Sequence, residues 1–371
     1  MIVCQPFFCY RGTSFSVYQR TRIMAEKGVE VDLLTYGQGE DVAIPGVNII
    51  RIPKVFGDVK IGPSFKKAFL DIFMFIWMVV LLIKRRYDFV HAHEEGAFFC
   101  LFLKKIFRFK WVYDMHSCLS QQLTNFKFTK SRLLIGIFEK LEKACLESAD
   151  AVITICPDLK SVALSMMPSE EKHFLIENSL FETEFFQIPL DVELPKNKKL
   201  IVYAGTFESY QGIDLLLSSF KMLKCKDAHL ILIGGTVPQV EAYKKIASED
   251  CTIYPRMGQS QVREIINRCA LQISPRISGT NTPLKNYEQL ANGIPLVATK
   301  IYSHTQILNE DVCFLVETEP KSLAEVLERA LNHPELGREK VKNAQSLYNR
   351  KYSRAVYEQK IDNFLGVMYA E

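Results

Sequence analysis

The chain has 371 residues, 48% hydrophobic and 24% charged, with 18 Gly and 15 Pro, which excludes a disordered or collagen-like polymer. Its 46 Lys and Arg oppose 42 Asp and Glu, a formal net charge of +4. That excludes a strongly cationic nucleic-acid binder on global charge and leaves only a local basic patch to consider.

Apolar, β-branched runs alternate with helical stretches from end to end. In the first half the predicted strands are 2–4, 29–35, 47–52, 89–92, 111–114 and 151–155, with predicted helices over 17–27, 66–84 and 131–148. In the second half the strands are 200–204, 229–234, 251–254, 271–274 and 295–298, with helices over 213–224, 240–248 and 261–269. Short, uniformly apolar strands separated by helices signal parallel sheets covered on both faces. Two such series predict two doubly wound α/β domains. The join is expected within 185–199, where Pro189, Pro195 and three lysines interrupt helical periodicity. This sets one domain at 1–188 and a second at 189–351. Apolar residues at 356, 357, 361, 364, 365 and 368 predict a closing helix within 352–371.

Ten cysteines are scattered without a C-x-x-C pair, several inside apolar runs such as that around Cys100. Buried free thiols in a reducing, cytoplasmic compartment are expected. Residues 1–9 lack a positive n-region, so no signal peptide is expected.

One segment departs from the average. Residues 51–132 hold 15 Lys or Arg against 6 Asp or Glu, and 13 of the 25 Phe. Within it, 72–83 is apolar on every side and ends at Lys84, Arg85 and Arg86. Twelve helical residues reach only about 18 Å against a hydrocarbon core of about 30 Å, so this is no spanning helix. Burial against a sheet explains it, and so does a face dipping into an anionic membrane surface; the clustered cations and Phe favour the second. A peripheral position on the inner face of the cell membrane is therefore expected.

The motifs that would mark other chemistries are missing. No G-x-G-x-x-G follows the first strand, and no Walker loop, D-x-D triplet or zinc-spaced cluster is present. His91 and His93 alternate along one strand and face the same side; packing explains them better than metal binding. The second half does carry a phosphate and ribose constellation. A strand ends at Ser274, a small-residue turn follows, and a helix is expected to begin near Pro283. Thr280, Asn281 and Thr282 then offer backbone amides at a helix N-terminus, an anion site. Glu288, further along the helix, can accept two hydrogen bonds from a ribose diol.

This block resembles the family 4 glycosyltransferases of GT-B fold. So do the first turn at 6–13, His91-Ala-His93-Glu94-Glu95, Asp114-Met-His116-Ser117, Tyr203-Ala-Gly-Thr-Phe207, Gly234-Gly235 and Ser303-His304-Thr305. The resemblance covers essentially the whole chain. It implies two Rossmann-like domains facing a central cleft, the C-terminal helix returning to the first. It also implies retaining transfer of a hexose from a UDP- or GDP-linked sugar to a hydroxyl, with no metal and no further cofactor. The acceptor expected is a lipid-linked or polysaccharide precursor. By the same resemblance Gly12 lets the backbone approach the diphosphate, and His116 contacts the transferred sugar near the reacting carbon. Gly234 and Gly235 lie near ribose and phosphates, Arg256 and Met257 hold the nucleobase, and Glu288 binds ribose. Glu94 and Glu95, at the carboxyl end of a strand, are placed on the acceptor side. A nucleotide-sugar 2-epimerase of the same fold and a catalytically silent scaffold module are the rival readings.

Three positions depart from the family. Its first glutamate is Thr280 here, and its diphosphate-neutralising Arg and Lys fall at Thr206 and Gln211. Two unpaired phosphates in a closed site are costly, so Arg276 and Lys285, which flank the turn, are expected to replace that pair, with Arg11 a weaker third.

Overall fold

The computed structural model describes residues 1–5, 7, 12–39, 42–54, 64–118, 131–178 and 192–370, without the side chains of 12, 13 and 15. Two compact units emerge: Met1–Asn178 together with Arg354–Glu371, and Ser179–Ser353. Each is a parallel sheet with helical crossovers, as the alternating strand and helix pattern predicts.

In the first unit the strands are β1 (Ile2–Val3), β2 (Val31–Thr35), β3 (Val47–Arg51), β4 (Phe89–His93), β5 (Lys110–Met115), β6 (Ala151–Thr154) and β7 (His173–Leu175). They pair in parallel in the order β3-β2-β1-β4-β5-β6-β7. Strands β2, β4 and β6 are buried along their whole length, as expected of parallel strands covered on both faces. The first crossover helix, α1 (Gly12–Glu26), starts five residues earlier than periodicity suggests. β7 and its counterpart in the second unit, three residues each, are too short to carry a periodic signal.

The apolar helix is α2 (Phe65–Lys84), opened by Ser64, whose side chain accepts from the Lys67 amide. Leu70, Met74, Met78 and Leu82 pack into the core at helical spacing. The opposite stripe, Phe65, Phe69, Ile72, Ile76, Val80 and Ile83, is exposed. Its neighbours α3 (Gly96–Phe107) and α4 (Arg132–Ser148) add exposed Phe102, Ile106, Leu133, Leu134 and Ile137. Among the described residues no helix is long and apolar enough to cross a membrane.

The second unit has β8 (Lys199–Ala204), β9 (Ala228–Gly235), β10 (Cys251–Pro255), β11 (Leu271–Ser274), β12 (Leu296–Thr299) and β13 (Phe314–Val316), all parallel, ordered β10-β9-β8-β11-β12-β13. Its core gathers Ile201, Tyr203, Leu230, Leu232, Ile273 and Val297 under the covering helices.

The last helix, Arg354–Tyr369, belongs to the first unit. It buries Tyr357, Ile361, Phe364, Leu365 and Met368 on one face. The Phe364 ring meets Phe89, His91 and Phe174 edge-on, with centroids 6.1, 5.9 and 5.7 Å away. Lys27–Asp362 and Arg354–Glu26 pairs at 2.7 and 2.6 Å tie its rim to α1; being exposed, they contribute little beside the buried ring. Phe364→Ala is therefore expected to lower stability by about 3–5 kcal/mol in urea unfolding, and a loss below about 1 kcal/mol would show that this helix is not packed as described.

Candidate active site

Open α/β sheets bind ligands beyond the carboxyl ends of their strands, where the strand order reverses. In the second unit that point lies between β8 and β11, and in the first between β1 and β4. Arg276 and Lys285 flank the first of these places, and Glu94 and Glu95 close β4 at the second.

In the second unit β8 runs out at Gly205 and β11 at Ser274. Gly234, at the end of β9 with φ +120°, packs so closely on this turn that a Cβ there would stand 2.3 Å from the Gly205 carbonyl oxygen. Only glycine fits, and Gly235 likewise lies under the Phe207 ring. The next helix covers Leu284–Ala291. Pro283 precedes it with an extended ψ of 129°, so the expected first-turn proline stands just outside the helix.

Lys285, in the first turn of that helix, reaches back to the end of β8. Its Nζ lies 4.3 Å from the centre of the Tyr203 ring, is buried, and has no hydrogen-bond partner. Burial, with Arg276 adding to it, pushes this ammonium down to about 7. Arg276 lies over the Tyr210 ring at 5.1 Å and donates through Nε to the Ser278 carbonyl at 2.7 Å. It wraps the turn so tightly that a Cβ on Gly279 would strike its guanidinium. Burial lowers it too. Among the described residues no carboxylate pairs with either cation. Beside them, the Thr282 hydroxyl and both amide atoms of Asn286 are buried without partners. Buried polar atoms are normally satisfied, so cations and orphaned donors at one turn mark a place shaped for a polyanion.

Thr280 and Asn281 turn their carbonyls to Gln306 and Arg276. Glu288 is bound by Arg263, whose Nε donates to Oε1 at 2.9 Å; sequence offered no hint of this pairing. Arg256 and Met257 follow β10 at its carboxyl end. His304 hydrogen-bonds Ser274 at 3.0 Å and the Thr299 carbonyl at 2.8 Å. Burial holds it neutral, down to about 4.

In the first unit His116 follows β5 directly, and its neighbourhood is a buried ionic node. Asp114 pairs with Arg20 of α1, both inaccessible. The same carboxylate lies 2.7 Å from His91 Nε2, 3.5 Å from His93 Nδ1 and 3.3 Å from His116 Nε2. Burial alone would raise Asp114, but Arg20 and the histidines hold it well below the usual carboxylate range. Burial keeps His91 and His93 neutral. Donor atoms of His91, His93 and Asp114 lie within 4.8 Å of one another, yet Arg20 already supplies the cation that a metal would bring to this carboxylate.

Glu94 and Glu95 close β4. Glu94 adopts a left-handed φ of +48°, and its Oε1 accepts from Ser117 Oγ at 3.4 Å. Lys67 of α2 reaches Glu95 at 2.7 Å. Asp71 lies in the same group, pushed up to about 7 by burial and the Glu95 charge. Gly12 opens α1; Arg11 and most of the 6–13 turn lie outside the described residues.

Two family models divide the chain, Glycosyltransferase Family 4 over residues 10–179 and Glycosyl transferases group 1 over 185–347. A curated relative, probable glycosyltransferase WbjE of Pseudomonas aeruginosa, is 24% identical over 204 residues, 51% of this chain and 51% of that protein. The chain thus spans about half the length of the curated relative it matches. Sucrose-phosphate synthase from Thermosynechococcus elongatus has the same fold at TM-score 0.79 and 18% identity, covering 99% of this chain and 98% of that one. Anabaena HepE, solved with UDP, follows at TM-score 0.71 and 15% identity, covering 99% and 100%. With each half matched by a glycosyltransferase model and each folded as a doubly wound parallel sheet, the chain belongs to the family 4 glycosyltransferases of the GT-B fold.

Proposed function

We propose that the protein is a retaining hexosyltransferase that takes its sugar from a nucleotide diphosphate, UDP- or GDP-linked, and delivers it to a hydroxyl of a membrane-linked acceptor. The observation that carries the donor half is the pair Arg276 and Lys285, two buried-side cations without an acid between them. The diphosphate supplies the missing charge, with the Thr282 hydroxyl and the Asn286 amide completing its shell; residues 280–282 precede the helix, which begins at Leu284, so their amides are not its N-terminal ones. Gly12, Gly234 and Gly235 let backbone close on the donor, Arg256 and Met257 receive the base, and Glu288, steadied by Arg263, takes the ribose. HepE, of similar fold, is solved with UDP and with UDP-glucose, in keeping with this reading.

Departure of the diphosphate concentrates negative charge on the β-phosphate oxygen that leaves the anomeric carbon, and the two cations stabilise that charge most as it develops. No residue here is assigned as a covalent nucleophile. His116 steadies the sugar, while Glu94 and Glu95 accept hydrogen bonds from the acceptor's hydroxyls. The acceptor oxygen attacks from the face that the diphosphate leaves and passes its proton to the departing phosphate oxygen, so the anomeric configuration is kept and the nucleoside diphosphate is released. In this reading the cations do the work of a metal, and none is required.

Lys285→Ala and Arg276→Ala are each expected to lower kcat for donor cleavage or transfer about 100-fold, with KM for the nucleotide sugar changing far less. Turnover near the parent's in both variants would contradict the donor assignment.

The acceptor half rests on the outer surface of α2, α3 and α4. An exposed apolar stripe six residues long on α2 runs beside exposed Lys66, Lys84, Arg85 and Arg86, with Lys105, Arg108, Arg132 and Lys140 on the neighbouring helices. Apolar residues that enter the headgroup region between cations that meet anionic lipid match this pattern. The protein is expected to sediment with vesicles containing phosphatidylglycerol and not with neutral phosphatidylcholine vesicles. Ile76→Glu with Ile83→Glu should weaken that binding at least tenfold. Equal binding to both vesicle types, or none to either, would contradict a membrane-linked acceptor.

A further inference from the structure

The ionic node under His116 has an owner that the reaction does not explain. Arg20 sits in α1, fully enclosed, and three separate parts of the chain fix its guanidinium. Nη1 pairs with Asp114, Nη2 donates to the Ile176 carbonyl at 3.1 Å, and Nε donates to the Tyr357 hydroxyl at 3.3 Å. Tyr357 lies on the C-terminal helix, some 337 residues away in sequence. From the same helix Phe364 presses edge-on against His91, which stacks on His93 at 4.9 Å; His93 in turn lies 5.0 Å from the His116 ring. One helix thus touches both routes to His116, the polar route through Arg20 and Asp114 and the aromatic route through the two strand histidines.

We propose that Tyr357, Arg20 and Asp114 are positioning residues for His116, through which the C-terminal helix fixes the orientation and tautomer of that imidazole. A carboxylate beside a ring nitrogen favours the tautomer whose N–H faces it. Asp114 Oδ1 faces Nε2 of His116, so the proton resides on Nε2 and Nδ1 keeps its lone pair. Asp114 cannot swing away from this duty while Arg20 holds it, and Arg20 cannot swing while Tyr357 and Ile176 hold it. A fully enclosed ion pair is a weak source of net stability but a strong constraint on geometry, which suits such a part. The inference rests on the assignment of His116 to the transferred sugar; its structural half does not.

The test compares the parent with Tyr357→Phe and with the double variant Arg20→Gln, Asp114→Asn. The double variant removes both charges together, so neither remains buried alone. Nitrogen-15 spectra of the histidines should show His116 as the Nε2–H tautomer in the parent and as a mixture in the double variant, with a smaller change for Tyr357→Phe. In turnover, kcat should fall at least tenfold for the double variant and about threefold for Tyr357→Phe, with KM for the nucleotide sugar within twofold of the parent. Variants that melt earlier yet keep the parent's tautomer and kcat would reduce the node to scaffolding and overturn the proposal. If the double variant fails to fold, the spectrum of Tyr357→Phe decides alone. A parent that cleaves no nucleotide sugar would refute the proposed function instead, and the spectra would still judge the positioning claim.

Discussion

A lysine ammonium enclosed beside an arginine, with no acid to balance them, is the feature around which the second unit is arranged. Two other buried cations of the described chain each meet an acid: Arg20 pairs with Asp114, and Lys67 with Glu95. Lys285 has only the face of Tyr203 and the repulsion of Arg276. Such an arrangement costs stability in the free protein. Because the folded-state pKa of Lys285 lies below that of the unfolded chain, the unfolded state holds more protons between about pH 7 and pH 10. Stability of the free protein therefore gains from this group as pH rises through that window, and the full penalty is present below it. Strain of this kind persists where a ligand relieves it.

The two units use charge in opposite ways. The first balances its cations and acids internally, so that Asp114 stays ionised among three histidines and can serve as a fixed reference for their rings. The second leaves Arg276 and Lys285, the two cations at its turn, without an acid. This division suits transfer from a charged donor to an uncharged hydroxyl, since the donor brings the charge and the acceptor side needs only hydrogen-bond acceptors. Under the proposed function Glu94 and Glu95 would provide those, with Lys67 limiting their mutual repulsion.

Much of this was legible from the sequence, for reasons that differ by residue. Short, mostly apolar runs mark the buried parallel strands, so eleven strands could be placed, and Lys285 stood out because it flanks a turn between a strand and a helix. The fate of α2 was not legible. A helix apolar on every side has no periodicity to say which face meets the core, and only packing against α3 revealed the exposed stripe from Phe65 to Ile83. Partners far apart in sequence were equally hidden. Nothing near Asp114 announces Arg20, 94 residues earlier, or Tyr357 beyond it. Likewise Arg263 lies 25 residues before the Glu288 it binds, in a helix whose pattern gives no sign of it.

The claim at the centre is that Lys285 waits, largely uncharged above neutrality, for a diphosphate to restore its proton. Calorimetry of UDP binding at pH 8 in buffers of different ionisation enthalpy measures this directly. With the free ammonium pushed down to about 7, binding should take up a substantial fraction of a proton per UDP in the parent and close to none in Lys285→Met. Binding by the parent without proton uptake, or equal uptake by the variant, would contradict it.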